Sequence, residues 1–190
     1  MEKNIVWKGI FYNSLENCIV SFTDEGLRAK SVIIGYTDES PFYIEYEVKT
    51  NHLFETQSAT ANYRYKSTER IIQLTRQNSN EWTINGNLDE SLSECKDIDI
   101  SLTPFSNTLP IKRLSFDKMA EYQIKVIYID ILRGNIKPVY QKYSKLSNNL
   151  YRFENVPNDF EAEIEFDELG LVTYYPKLFD RKIINENNYR

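Results

Sequence analysis

The sequence predicts an all-β fold: a strongly bent antiparallel sheet that forms a β-roll or half-open barrel. Three observations point there. Apolar and polar residues alternate with period two over much of the chain. Turn-forming clusters recur at a spacing of roughly ten residues, the rhythm of rolls, barrels and sandwiches. Aromatic residues are abundant, with 14 Tyr and 10 Phe against 6 Gly and 6 Pro, a balance that favours ordered strands.

The elements follow in chain order. Segments 18–23 and 27–36 are joined at Asp24-Glu25-Gly26 and form the first predicted hairpin. The turn Asp38-Glu39-Ser40-Pro41 leads into 42–49, where Phe42, Ile44, Tyr46 and Val48 share one face and Tyr43, Glu45, Glu47 and Lys49 the other. In 59–66, Ala59, Ala61, Tyr63 and Tyr65 oppose Thr60, Asn62, Arg64 and Lys66. Asn78-Ser79-Asn80 joins 71–77 to 81–85. Segment 122–132 differs: Ile124 and Val126 lie on one face, and Ile127, Ile129 and Ile131 on the other. A strand apolar on both faces is covered on both sides and is expected near the sheet centre. Arg133-Gly134-Asn135 then leads to 136–143, and Asn148-Asn149 precedes 150–154. Phe160, Ala162, Ile164 and Phe166 oppose Glu161, Glu163, Glu165 and Asp167, and Glu168-Leu169-Gly170 joins this strand to the C-terminal one. Connections this short favour antiparallel hairpins.

Helix is sparse. Segment 89–96 has room for one turn. Segment 103–111 admits two readings: a turn capped by Asn107 or Thr108 with Pro110 near its start, or an extended, proline-stiffened stretch. A chain of 190 residues suits one core, so a single domain is expected over 1–184, with a frayed polar tail at 185–190.

Composition excludes several functions. The net charge is −5, and Lys112-Arg113 is too small a basic cluster for a phosphate backbone, so no nucleic acid partner is expected. No apolar run of about 18 residues is present, so no transmembrane segment is expected. The start, MEKNIVWKGIFYN, is acidic at Glu2 and interrupted at Lys8, unlike a secretory signal. Cys18 and Cys95 lack metal-type spacing and read as reduced thiols, which assigns the protein to the cytoplasm. His52 is the only histidine and lies between two predicted strands. A Ser-His-Asp or Cys-His arrangement would have to use it, yet no activated nucleophile stands nearby; it reads as a surface loop residue. There is no glycine-rich phosphate loop, nucleotide fingerprint or zinc pattern, and no cofactor or metal is expected.

The most informative stretch is 97–114, DIDISLTPFSNTLPIKRL. Long aperiodic segments are uncommon in compact domains and are often functional. Asp97 and Asp99 share one face of any strand they occupy, with Cα atoms roughly 6.5–7 Å apart. Three readings stay open for them: pairing with Arg113 or capping backbone amides, binding a polar ligand, or acid/base chemistry on a sugar. Asn107, Thr108, Lys112 and Arg113 can bind sugar hydroxyls or a phosphate, or can satisfy their own loop. Trp7 and Trp82 can stack on a sugar ring, although a core role suits at least one of them.

The same stretch resembles the central motif of a bacterial family named "Putative glycolipid-binding". In that motif a D-x-D run leads into T-P-F-[ST]-N-T-L-P-I-[RK]-R-L. Further matches are Gln141 and Tyr143 in VYQKYS, then Asp167, Gly170, Leu171 and Val172 in FDELGLV, then Tyr175 and Pro176 in YYPKLF. The matches cover roughly the C-terminal half. Ser106 stands where the family usually has Thr, and Lys112 where it has Arg, which removes a bidentate fork there.

The resemblance implies a β-roll similar to periplasmic lipoprotein carriers, with 97–114 as its cover or rim. It also implies non-covalent binding of a glycolipid or other amphiphile, with a polar end formed by Asp97, Asp99, Asn107, Thr108, Arg113, Gln141 and Tyr143. The alternatives are a sugar-acting enzyme built on Asp97 and Asp99, or a protein-interaction module. Nothing in the nucleophile or metal patterns supports catalysis, so a non-enzyme is expected. A tube-like cavity favours the binder, two inward carboxylates in an open cleft favour the enzyme, and a flat apolar patch favours the module.

Overall fold

A computed structural model describes residues 1–37, 40–116 and 120–182. The expected tail at 185–190 and the first half of the turn at 38–41 lie outside the described residues. The first half of the chain contributes β1 (Glu2–Gly9), β2 (Ser14–Thr23), β3 (Gly26–Thr37), β4 (Ser40–Thr50), β5 (Thr56–Tyr65), β6 (Thr68–Arg76), β7 (Trp82–Ile84) and β8 (Asn87–Leu88). The second half contributes β9 (Asp97–Ile100), β10 (Glu121–Asp130), β11 (Asn135–Lys145), β12 (Leu150–Asn155), β13 (Phe160–Phe166), β14 (Val172–Tyr175) and β15 (Phe179–Lys182).

All fifteen strands form one sheet, in the order β8 to β1 followed by β15 to β9. The seam is β1 on β15, with Val6 opposite Lys182 and Gly9 opposite Phe179. Neither seam strand stands out in the sequence, because β1 carries a short apolar run and β15 has only four residues. The two free edges, β8 and β9, are neighbours in the chain, so 89–96 must cross the gap between them. It does so through a 3₁₀ turn, Glu90–Leu92, capped by the Asp89 carboxylate on the Ser91 amide. The Lys96 carbonyl accepts from the Thr56 amide of β5, and the Cys95 carbonyl from Trp82 Nε1. The roll is thus bridged by loop contacts and remains an open sheet.

Every strand pair is antiparallel except β9 with β10. A parallel pair needs a crossover of a dozen or more residues. Here the crossover is 101–120, which contains the TPFSNTLPIKRL motif. It forms a 3₁₀ turn, Phe105–Asn107, and then α1, Thr108–Arg113. The helical reading of this stretch is the observed one, but neither Asn107 nor Thr108 supplies a side-chain cap. Pro110 is accommodated because it sits in the first turn, where the backbone N–H has no intrahelical partner to lose.

The crossover is neither cover nor rim. Thr103 through Pro110 are buried, and Phe105 and Leu109 are fully enclosed by the sheet. The physical reason is volume. A strongly bent sheet of this length encloses more space than its own inward side chains fill, and the crossover occupies the interior. On one side it meets a large cluster that includes Trp7, Ile33, Ile44, Leu74 and Trp82; on the other, a smaller aromatic cluster includes Tyr143, Phe153, Phe166 and Tyr175. Fully burying side chains of this kind stabilises by about 1.5–3 kcal/mol each. Both tryptophans are core residues, each with its indole N–H on a backbone carbonyl, Trp7 on Val172 and Trp82 on Cys95.

β10 lies next to the edge strand rather than at the sheet centre. It is covered on both faces because the sheet is rolled. Ile127, Ile129 and Ile131 join the larger cluster, whereas Ile124 packs against the smaller one.

Candidate functional site

β9 separates the two clusters. Its Ile98 and Ile100 point into the larger one, so Asp97 and Asp99 face the other way, as alternation requires. The two carboxylates then meet different partners. Asp97 is 1% exposed, and both its oxygens are held by Arg113, at 3.1 Å from Nε and 2.6 Å from Nη2. Burial pushes this carboxyl above its ordinary range, while the guanidinium pulls it back down. Asp99 has no such cation. Its Oδ2 accepts from Gln141 Nε2 at 2.6 Å, and burial pushes its pKa up to about 6.

Gln141 and Tyr143 sit two residues apart on β11 and face inward together. The Tyr143 hydroxyl donates to Asn107 Oδ1 at 3.0 Å and lies 3.5 Å from Gln141 Oε1. Asp99, Gln141, Tyr143 and Asn107 therefore form one continuous polar chain. Thr108 is apart from it, fully buried with its hydroxyl unpartnered, and Arg113 is committed to Asp97. Lys112 lies over the rings of Phe22 and Phe54, at 5.7 and 5.2 Å, on the other side of the crossover.

Asp99 and Asn107 open onto a cleft of about 560 Å³ between the start of the crossover, the β1–β2 turn and strands β12 to β15. One wall is a run of aromatic rings. Tyr12 packs against Phe179, Phe179 against Tyr175, and Tyr175 against Phe153 and Phe160, tilted or edge-on, with centroids 6.0–6.4 Å apart. Tyr128 of β10 lies opposite, and Phe11, exposed, stands at the mouth. The hydroxyls of Tyr12, Tyr128, Tyr143 and Tyr175 are all pushed above the usual tyrosine range, mainly by burial, with the Asp99 charge contributing to each. Asn155 Oδ1 lines the same cleft, buried and without a donor.

A second buried carboxyl stands behind the wall. Glu16 is 2% exposed, and its Oε1 accepts from Ser31, Tyr46 and Thr103 at 2.6–2.9 Å, while Oε2 has no partner. Burial pushes it up to about 7. Thr103 connects it to the cleft, since Thr103 also lines that space.

A larger depression, about 1110 Å³, borders β1, β13 and β15. Its strongest charges, Arg181 and Asp167, are already paired at 2.5 Å, and it lacks a run of stacked rings. The smaller cleft is the one that brings the run of aromatic rings together with Asp99 and Asn107. The other singled-out residues are inert or remote. His52 is exposed in the β4–β5 loop, and Cys18 and Cys95 are buried free thiols, Cys95 pushed up to about 11 and Cys18 well above its ordinary value by burial.

Sequence reasoning missed the aromatic wall and Glu16. The wall gathers residues from position 12 to position 179, and no spacing rule joins them. Glu16 had one signal available: it occupies an inward position of an alternating strand, between Ser14 and Cys18.

Fold and site together define an open β-roll with a plugged interior and an aromatic cleft reached by Asp99 and Asn107, while Gln141 and Tyr143 stay enclosed behind them. The chain belongs to the "Putative glycolipid-binding" family, whose profile matches residues 4–181. The crystal structure of a DUF1089 family protein from Pseudomonas aeruginosa superposes with a TM-score of 0.81 at 26% identity, covering 90% of this chain and 92% of that one. A beta-barrel-like protein of a domain of unknown function, DUF1849, from Brucella abortus aligns at a TM-score of 0.47 and 6% identity, over 96% and 94% of the two chains. Among curated proteins, none matches the chain in sequence. No helix among the described residues is long and apolar enough to cross a membrane.

Proposed function

We propose that the protein binds a glycolipid or related amphiphile non-covalently in the cleft between the crossover and β12–β15. The observation that carries this is the run of packed rings, Tyr12–Phe179–Tyr175–Phe153–Phe160, sharing the cleft with Asp99 and Asn107, which Gln141 and Tyr143 hold from behind. Aromatic faces pack against acyl chains and sugar rings, and a few convergent polar groups orient a head group. At 560 Å³ the cleft falls within the size range of small-molecule sites, about 300–1,000 Å³. Each acyl CH₂ buried in it contributes about 0.8 kcal/mol. The family's name supports the same reading.

We read the cleft as a binding site rather than an active site. The enzyme reading rests on Asp97 and Asp99 as the two carboxyl groups flanking a reacting bond, whereas Asp97 is buried on Arg113 and does not line the cleft, so that pair does not face a substrate together. We assign the cytoplasm on the two free thiols. The test is titration with a fluorescent alkyl glycoside, together with native mass spectrometry of the purified protein for co-purifying lipid. Saturable binding that weakens at least tenfold in Tyr175→Ala and Phe153→Ala, with the fold intact by circular dichroism, supports the proposal. Absence of saturable binding, or binding indifferent to both changes, overturns it.

A further inference from the structure

We propose that the head group taken by this cleft carries a protonated amine, so that the preferred ligand is an amino-bearing amphiphile rather than a neutral or anionic one. This rests on the cleft being the ligand site. Four observations lead to it.

First, β9 places two carboxylates on one face and provides a cation for only one. Asp97 receives Arg113, whereas among the described residues Asp99 receives a neutral amide alone. Asp99 is half-buried on the cleft, and a carboxylate partly withdrawn from water without a cation is costly unless something charged arrives. Second, the surroundings of Asp99 are aromatic. Tyr12, Tyr128 and Tyr175 approach it from three different elements, and ring faces attract an ammonium group. Third, the ionisable groups of the cleft are unbalanced: Asp99, Glu161 and Glu163 against Lys177. A phosphate or carboxylate head would meet repulsion there. Fourth, Asn155 offers a buried carbonyl oxygen with no donor. That orphan acceptor calls for a donor hydrogen, which a primary ammonium has and a quaternary one lacks. A neutral sugar supplies hydroxyl donors but leaves the Asp99 charge uncompensated.

The pH behaviour follows from geometry. Around Asp99 stand Gln141 and Tyr143 on β11, Tyr128 on β10, Tyr12 in the β1–β2 turn, Tyr175 on β14 and Asp97 on its own strand; Glu161 and Glu163 of β13 and Lys177 line the same cleft, and the Asp130–Arg133 pair lies near Tyr12 and Tyr128. The tyrosines stay neutral, being pushed above their ordinary range by burial. Arg113 is held on Asp97 and does not reach Asp99 among the described contacts. Asp99, with a pKa of about 6, is ionised at pH 7.5 and protonated near pH 5, while the ligand amine keeps its charge as pH falls. Selectivity for the amine is therefore present above about pH 6 and lost below it.

The test compares decyl 2-amino-2-deoxyglucoside with its N-acetylated counterpart, below their micellar concentrations, by calorimetry at pH 7.5 and pH 4.5. Decyltrimethylammonium is the third probe. At pH 7.5 the amine binds at least tenfold more tightly than the N-acetyl compound and more tightly than trimethylammonium. At pH 4.5, and in Asp99→Asn at pH 7.5, the amine and N-acetyl affinities converge to within about threefold. The wild-type pH arm stands even if the variant fails to fold. Equal affinity for amine and N-acetyl compounds at pH 7.5 overturns the inference and leaves amphiphile binding standing. Preference for trimethylammonium over the amine overturns the choice of a primary ammonium. Failure of all three probes to bind overturns both readings.

Discussion

Removing the Arg113 guanidinium tests how the crossover is anchored. Arg113 is 13% exposed and Asp97 1% exposed, and three contacts of 2.6–3.1 Å join them. Arg113→Ala leaves a buried carboxylate alone, a loss of about 3–5 kcal/mol. The carboxyl has one escape, which is to take up a proton. The cost is then bounded by about 1.36 kcal/mol per unit between the solution pH and the ordinary carboxyl value. That bound is about 4 kcal/mol at pH 7 and about 1.5 kcal/mol at pH 5. For a protein of this size 1 kcal/mol moves Tm by about 2–4 °C, so the deficit should be at most about 8–16 °C at pH 7 and at most about 3–6 °C at pH 5. Differential scanning calorimetry at the two pH values measures it. Asp97→Asn in the same chain should recover part of the pH 7 loss, because no charge then remains to strand. A deficit under 2 °C at pH 7, or one equal at both pH values, refutes the buried-pair account.

Three other outcomes are expected. Asp99→Asn should be more stable than the parent at pH 8, and by only about half as much at pH 5, by urea denaturation. Its carboxyl is raised from 3.8 to about 6, so the folded state holds a proton the unfolded chain has released, and stability falls as pH climbs through that window, by up to about 3 kcal/mol. Glu16→Gln should flatten the pH dependence of the melt between pH 5 and pH 8, since Glu16, raised from 4.5 to about 7, contributes another loss of about 3 kcal/mol with rising pH. At pH 5 the variant should be weaker by about 1–3 kcal/mol, because its new amide enters the place of the partnerless Oε2. Phe105→Ala, in the fully buried centre of the crossover, should cost about 3–5 kcal/mol and lower Tm by about 6–20 °C in a thermal scan.

The sequence by itself determined the sheet. Period-two alternation in 42–49, 59–66 and 160–167 assigns inward and outward faces without reference to any partner, because successive side chains on a strand point to opposite sides. The short turns required antiparallel neighbours, and the observed order is a meander from β8 to β1 and from β15 to β10. Alternation also put Asp97 and Asp99 on one face, and a partnership of Arg113 with one of them was readable from a charged side chain in the largely apolar stretch 109–116. Tertiary structure decided the rest. Which carboxylate Arg113 would take depended on how α1 packs beside β9. The position of 122–132 beside an edge strand followed from the rolling of the sheet, since a strand apolar on both faces reports coverage and not rank. The segment 97–114 reads as a loop in one dimension and is the filling of the roll in three, because a bent sheet leaves an interior that its own side chains do not occupy. The cleft is the extreme case. Its rings come from the β1–β2 turn and from β10 to β15, so only the closing of the β1–β15 seam brings Tyr12 against Phe179 and faces that wall with Asp99. Local spacing carries no record of that juxtaposition, because side chains far apart in the chain meet only once folding has fixed the shape between them.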